Sequence, residues 1–572
     1  MINKIPHHLK KYIVEQNYND YTAIDQACWK FIMKISISFF KKNADSSYLK
    51  GLKKTGVTID KIPKIKEINK ALIKIGWQAV CVRGFIPPHA FMEFQSLRIM
   101  PIAADMRSHK NLTYTPSPDI VHEAAGHLPI IVNKDYSNYL SKYGEIAIKA
   151  LMSNEDLNLY YAIRDLSDIK EKPNSTRYMI KKYEKKLNNA YDNITFTSES
   201  ALLSRMNWWT VEYGLIKKNN KTNIFGAGLL SSVAESENSL KKNVKKIPLN
   251  LNCIKYNYDI TEQQPQLFVT PNFKYLSKLL TQLSKKMSFQ KGGIYGIKEA
   301  YKCNSICTIK LDSSVEISGI IERYIIYKNN ISFIKLKGPT QISYNNEQIK
   351  GQGPDFHYHG YSCPIGKIKK YNKPISDLTN NQQNNLNLKK NKYIELDFLG
   401  GIKLKGKIIK LYKKKSKLIL LSLENCLIKK KNEILFMPDW GQFDLICGNN
   451  IVSVYNGPAD RNNYYKSINE NIEEKFNRYN IIKLNKKIKL EMYFEKIENF
   501  KNQTNKKEKI KKLYENFKQN NLNDWLFKYQ ILEILKDEND DWIIKIYKEL
   551  EKKSLKNNDL GRAIRRGLKL IK

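Results

Sequence analysis

At 572 residues the chain exceeds one ordinary domain, and a prior of roughly 150 residues per domain suggests three or four units. Apolar residues make up 42%, enough for real cores, while the formal charge is +42. The basic residues are 86 Lys against 12 Arg, spread over the whole chain. A dedicated phosphate-binding face would cluster its charge and favour Arg for bidentate contacts, so the composition speaks against a nucleic-acid partner. Cys28, Cys81, Cys253, Cys303, Cys307, Cys363, Cys426 and Cys447 are scattered, as in reduced cytosolic thiols and unlike a disulfide framework. The opening MINKIPHHLKK lacks the apolar segment of a signal peptide. FIMKISISFF, interrupted by Lys34, is too short to span a bilayer. A cytoplasmic protein without membrane contact is expected.

Along the chain, residues 1–290 read as mainly helical. YTAIDQACWKFIMKISISFF and KIKEINKALIKIG place apolar residues at helical spacing, the latter until Gly76. Residues 295–465 read as β-rich, with β-branched runs such as YIIYKNNISFIKLKG and KLKGKIIKLYKKKSKLILLSLE. LDSSVEISGIIERYIIYKNNISFIKLKG, from Leu311, lines up with LDFLGGIKLKGKIIKLYKKKSKLILLSLE, from Leu396, matching Gly319 to Gly406. Two copies of a small β-meander, at about 305–350 and 393–437, are expected, face to face or as paired barrels. The polar stretch 375–393 reads as a linker or long loop. Residues 470–572 return to helical spacing and predict a small amphipathic bundle. The C-terminal half reads as a unit separate from the N-terminal half, suited to self-association or, as a rival reading of its basic charge, to docking a polyanion or a protein.

The chemistry concentrates in PDIVHEAAGHLP, residues 118–129. Ser117 is placed to cap a helix that Pro118 and Asp119 open. Gly126 reads as its C-terminal stop and Pro129 prevents resumption, so His122 would lie on the helix and His127 just past its end. The two histidines are five apart, not four as in the zinc-protease pattern HExxH. On a continuous α-helix that spacing would splay them by about 140°, so a break at Gly126 is expected. Two imidazoles plus one carboxylate make the facial triad of non-haem iron(II) oxygenases. Glu212, in the aromatic run NWWTVEYGL, is the best carboxylate, because burial there demands a partner such as a metal. A zinc metallohydrolase using the same histidines is the rival.

PDIVHEAAGHLP, WWTVEYGL and FGAGLLSSVAE, in that order, together with YTPSPD and YTAIDQACW, resemble the pterin-dependent aromatic amino acid hydroxylases over about residues 15–285. The resemblance implies a mainly α catalytic domain using Fe(II), a tetrahydropterin and O2 on a free aromatic amino acid. It implies His122, His127 and Glu212 as iron ligands. Arg107 would hold the substrate carboxylate, buttressed by Asp119. Thr115 and Pro116 would lie beside the substrate and Trp208 over its ring. Gly228, Ser231 and Glu235 would line or support the pocket, Ser231 also steadying a ligand histidine. Phe91 would stack on the pterin, with Glu123 near it and Tyr258 close to the iron.

The sequence departs from the family at Ser117, where Glu is frequent, and at Asn207, where an aromatic is usual. A Lys-rich helical insert fills about 153–203. Trp208 argues against a tryptophan-specific enzyme. Ile260 stands where tyrosine-specific relatives carry an acid, and a phenol would lack a partner beside it. Phenylalanine is the expected substrate, with tyrosine or tryptophan the alternatives. Outside the resemblance, Asp355, His357, His359 and Cys363 lie close in sequence and raise a second metal site as an open question. Cys303 and Cys307 are one residue too far apart for the usual CxxC and read as structural.

Overall fold

The computed structural model describes residues 5–113, 118–171, 175–258, 263–468 and 489–571. Helix α1, Ala23–Asn43, begins with a capping box: the Thr22 hydroxyl accepts from the Asp25 amide, and the Asp25 carboxylate accepts from the Thr22 amide. It is apolar on more than one face, burying Ala27, Trp29, Phe31, Ile32, Ile35 and Phe40. A helix of that kind needs cover on two sides. One side is the N-terminal core; the other is the end of the chain.

The N-terminal domain holds two small sheets. Strands β1, Gln78–Val82, and β2, Ile99–Ala103, pair in parallel around the crossover helix α2, Pro88–Ser96. The second sheet has the order β4-β3-β6-β5, with β3 Leu215–Lys218, β4 Lys221–Ile224, β5 Lys245–Pro248 and β6 Gln266–Thr270. Helix α3, Lys134–Ala147, is followed by α4, Asn154–Glu171, and α5, Arg177–Asp192, which pack on each other as a hairpin. Helix α6, Glu199–Asn207, then returns the chain to the core.

The β-rich region has its own core. In its first meander β7, Cys307–Leu311, pairs with β8, Val315–Tyr327, which pairs with β9, Asn330–Tyr344. β9 also takes the two-residue β10, Glu347–Gln348, and β11, Gly360–Pro364. In the second meander β12, Tyr393–Asp397, β13, Ile402–Lys414, and β14, Lys417–Lys430, repeat the antiparallel order. β14 carries both β15, Glu433–Phe436, and β16, Phe443–Ile446. The long hairpins share three irregularities in the same order: at Gly319 and Gly406, after Ile321 and Ile408, and after Ile325 and Tyr412. Bulges bend and twist a strand, so the two hairpins curve at corresponding places. β17, Ile451–Asn456, then returns to pair with β7, so the second meander, a sheet of its own, is inserted in sequence between strands of the first.

Residues 375–393 are not an open linker. Ile375–Asp377 forms a 3-10 turn and Asn380–Asn385 a short helix capped by Thr379. Ile375, Leu378 and Leu388 are buried: three apolar anchors fold a stretch whose composition alone looked unstructured.

The two halves are not separate units either. Helices Lys489–Phe500, Lys506–Gln519, Trp525–Ile534, Asp541–Ser554 and Asp559–Ile571 share one continuous core with the N-terminal domain. Phe31 of α1 meets Trp525 and Tyr529 edge-on at 5.1 and 4.7 Å, and Lys30 and Lys34 pair with Glu533 at 2.7 and 2.5 Å. The apolar faces of these helices cover α1 rather than only one another. The β-region is docked as well. The Asn456 amide donates to Lys149 O at 3.0 Å, and Arg461 bridges Glu93, at 2.8 Å, and Ile148 O, at 3.0 Å. Among the described residues no helix is long and apolar enough to cross a membrane.

Candidate metal centre

His122 and His127 lie on one continuous helical segment. Val121–His127 is π-helical and passes directly into the turn Leu128–Ile130. The expected stop at Gly126 is therefore absent. In π winding the hydrogen bond runs from residue i+5 back to residue i, so a five-residue spacing puts both imidazoles on one face. Gly126 serves another purpose: a Cβ there would meet Ala227 O at 2.7 Å, so its absence lets the segment press against helix α7, Ala227–Ser231. The cap also differs from expectation. The Asp119 carboxylate accepts from the His122 amide at 3.0 Å; Ser117 lies outside the described residues.

Glu212 ends a second π-helical stretch, Trp208–Glu212, that continues α6. Its carboxylate stands 3.4 Å from His122 Nε2 and 3.3 Å from His127 Nε2, while those two nitrogens are 3.1 Å apart. Burial alone would raise the Glu212 pKa, but the two imidazoles and a hydrogen bond from the Asn207 side chain hold it down at about 2. The unusual Asn207 thus acts as an orienting amide. Glu123 also approaches, 3.9 Å from His127 Nε2, and its ligand atom and those of both histidines lie within 4.8 Å of one another. Burial, however, pushes its pKa up to about 8. It keeps its proton where Glu212 is an anion, which makes Glu212 the better ligand. Glu123 Oε2 is buried with no hydrogen-bond partner among the described residues.

The tautomer of His122 follows from its neighbour. Ser231 Oγ donates to Ala227 O at 2.8 Å, so it accepts from His122 Nδ1 at 3.0 Å. That leaves the Nε2 lone pair facing the centre. The side chain of His127 is 3% exposed, against 23% for His122 and 15% for Glu212, so the accessible side of the centre lies along the latter pair. Two imidazoles and a carboxylate, converging on one point with an open side, fit a facially bound divalent iron.

Around this centre Arg107 is buried. Its Nε and Nη2 bond Asp119 at 2.7 and 2.9 Å, and its Nη1 donates to Ser231 O at 3.1 Å. Trp208 stacks on Tyr258 at 4.3 Å and on Tyr213 at 4.6 Å, and its indole N–H donates to Gln264 at 3.4 Å. The expected single wall is thus a three-ring slab. Tyr213 and Gln264 went unnoticed in sequence, although Tyr213 sits beside Glu212 in the same aromatic run. A Cβ at Gly228 would meet the Tyr213 ring at 3.0 Å and Glu212 O at 3.1 Å, so a side chain there would crowd the ligand. Glu235 is buried on α8, Val233–Asn238. Phe91 lies on α2, half-buried against the core. Thr115, Pro116 and Ile260 lie outside the described residues. The other sequence cluster is not gathered: His357 is buried and faces Gln352 at 2.7 Å, while Asp355 and His359 are exposed. Cys303 and Cys307 are buried free thiols.

The domain and its centre define a mainly helical protein with a buried site of two histidines and one carboxylate, the ligand class of non-haem iron oxygenases. Residues 7–158 and 196–292 match the family described as biopterin-dependent aromatic amino acid hydroxylase; the gap falls on the α4–α5 hairpin. The phenylalanine-4-hydroxylase of Mesorhizobium japonicum is 27% identical over 271 residues, 46% of this chain and 81% of that protein. That of Pseudomonas aeruginosa is 26% identical over 267 residues, covering 46% and 85%. A crystal structure of Chromobacterium violaceum phenylalanine hydroxylase with iron(III) and 7,8-dihydrobiopterin is 25% identical, covering 50% of this chain and 95% of that one, with a TM-score of 0.38. The likeness to the pterin-dependent aromatic amino acid hydroxylases thus lies in the N-terminal half of the chain.

Proposed function

We propose that this hydroxylase converts free L-phenylalanine to L-tyrosine, with His122, His127 and Glu212 holding the Fe(II) of its family and with a tetrahydropterin and O2 as co-substrates. The observation that carries the reading is the convergence of His122, His127 and Glu212 within 3.4 Å on two π-wound segments. Iron(II) bound there supplies open coordination positions at which O2 and the pterin react.

The chain's own residues do the positioning. Arg107 has five N–H donors, of which two go to Asp119 and one to Ser231 O. The two left, on Nη1 and Nη2, form a fork for a substrate carboxylate. Asp119 anchors the fork and caps the segment that carries His122, so the substrate's acid end and the metal share one support. The slab of Trp208, Tyr213 and Tyr258 offers an apolar face for the substrate ring. Glu123 and Phe91 are assigned to the pterin, and Thr115 and Pro116 to the substrate rim, by family resemblance.

Phenylalanine is favoured by Ile260, which by family resemblance stands where tyrosine-specific relatives carry an acid, and by Trp208. Turnover of the purified chain with Fe(II), a tetrahydropterin and each aromatic amino acid tests the reading. Tyrosine formed from phenylalanine, and lost in Glu212→Ala of unchanged fold, is expected. Pterin-independent hydrolase activity with zinc would overturn it. Ile260→Asp should raise tyrosine oxidation relative to phenylalanine; an unchanged ratio removes the substrate argument.

A further inference from the structure

The last helix, Asp559–Ile571, carries Arg562, Arg565, Arg566 and Lys569 at i, i+3, i+4 and i+7, all on one face. With Phe39 of α1 and Glu237 of α8 they line a cavity of about 310 Å³. The opposite face buries Ala563, Ile564, Gly567 and Leu568. A Cβ at Gly567 would meet the rings of Phe31 and Tyr529, each at 2.7 Å, so the helix is packed too closely to roll its cations away.

These guanidinium groups are not a solvated charge run. The chain has 12 Arg among 98 basic residues, and three of the twelve fall within five positions here. Each is anchored by one nitrogen: Arg562 Nη2 to Asp559, Arg565 Nη2 to Ser554 O at 2.7 Å, and Arg566 Nη2 to Glu237 at 3.0 Å. Arg566 also lies 4.3 Å over the Phe39 ring. Part of the side-chain entropy cost of binding is thereby already met. Arg566 Nη1 is buried and has no hydrogen-bond partner among the described residues, a donor left without an acceptor. Burial lowers the Arg566 pKa, an effect its pairing with Glu237 only partly offsets. Four cations against the two carboxylates of Glu237 and Asp559 leave an excess of positive charge in one concavity, which an entering anion relieves.

We propose that this cavity is a binding site for a small phosphate-bearing anion. A lone carboxylate satisfies one guanidinium fork, whereas a phosphate group offers enough oxygens for two or more. The concave shape, sized for a small molecule, excludes a duplex groove contact. The site is remote in kind from the iron chemistry and stands whether or not the substrate reading above holds.

The test is calorimetric titration of the full chain with pyrophosphate and with inorganic phosphate at about 0.15 M chloride. Saturable binding at one site per chain is expected, with a Kd below about 1 mM. Arg562→Gln/Arg565→Gln should weaken it about tenfold or more with an unchanged thermal melt. Should that variant melt early, the exposed Lys569→Gln carries the test, with binding weaker by about threefold. Many weak sites displaced by chloride, unchanged affinity in the variants, or binding only to long DNA or heparin would overturn the proposal.

Discussion

Asp524 Oδ2 lies 3.2 Å from His109 Nε2. The adjacent Trp525 stacks on the same imidazole, 5.9 Å between centroids at 20°. His109 follows Arg107 by two residues, at the start of the segment that leads to Asp119. The five C-terminal helices are therefore not a separate appendage: the third, Trp525–Ile534, reaches the stretch that follows Arg107, and the last touches α8 through Arg566 and Glu237. Helices from the far end of the chain thus brace both the segment after Arg107 and helix α8, the two sides of the proposed amino-acid pocket.

Loss of that brace should appear in substrate affinity rather than in metal content. Asp524 also caps its helix by accepting from the Phe527 amide at 2.8 Å, so Asp524→Ala should cost about 1 kcal/mol of stability. We expect a severalfold higher KM for the amino acid, with bound iron per chain unchanged. Steady-state kinetics with elemental analysis decide it, and an unaltered KM would show that the tail is a passive cover.

Ser231→Ala removes the acceptor that fixes the His122 tautomer. Loss of such a supporting partner typically weakens metal affinity or activity about 10–100-fold. Iron titration followed by competition with a chelator should show this fall while the thermal melt of the metal-free protein changes little. Equal iron affinity in the variant would mean that packing alone orients the imidazole.

Gly126→Ala tests the π segment. The added methyl would collide with backbone, Ala227 O at 2.7 Å, rather than with a flexible side chain. Relief requires the segment to shift from α7, at a cost of about 1–3 kcal/mol. The urea midpoint should fall by a matching amount and iron binding should weaken with it. A variant of native stability and full iron content would show that the close approach is dispensable.

What could be read in advance, and what could not, divides along physical lines. The residue types of HEAAGH and the acid in NWWTVEYGL carry ligand chemistry, which is local and legible. How the chain brings a five-residue spacing to one point is not, because π winding is fixed by packing against α7 and not by propensity. The long strands of the β-region were visible from their β-branched runs, and Gly319 and Gly406 marked the sites of the first bulges. The insertion of the second meander and the return of β17 to β7 are long-range pairings that alternation cannot specify. An amphipathic helix likewise states that it has an apolar face and not which surface covers it, and so the docking of the tail on α1 escaped detection. In α1 the surplus of buried positions, Phe31 among them, was the available hint.

Glu235 should make stability depend on pH. Burial, and after it the Asp559 carboxylate, raises its pKa from 4.5 to about 7. Below pH 4.5 the group is protonated in both the folded and the unfolded chain and contributes no difference. Between pH 4.5 and 7 the folded protein holds a proton that the unfolded chain has released, so stability falls as pH rises through this window. Above pH 7 the loss is complete, at most about 3 kcal/mol for a difference of that size. Glu235→Gln, neutral at every pH, should be the more stable protein at pH 8 and the flatter one across the window. Asp559→Asn should move the wild-type curve part of the way in the same direction. Urea unfolding between pH 5 and 8 reads all three curves. Parallel profiles for wild type and Glu235→Gln would mean that the carboxyl gains water or a cation in solution, and with it that α8 and the last helix are less tightly closed over it than their packing indicates.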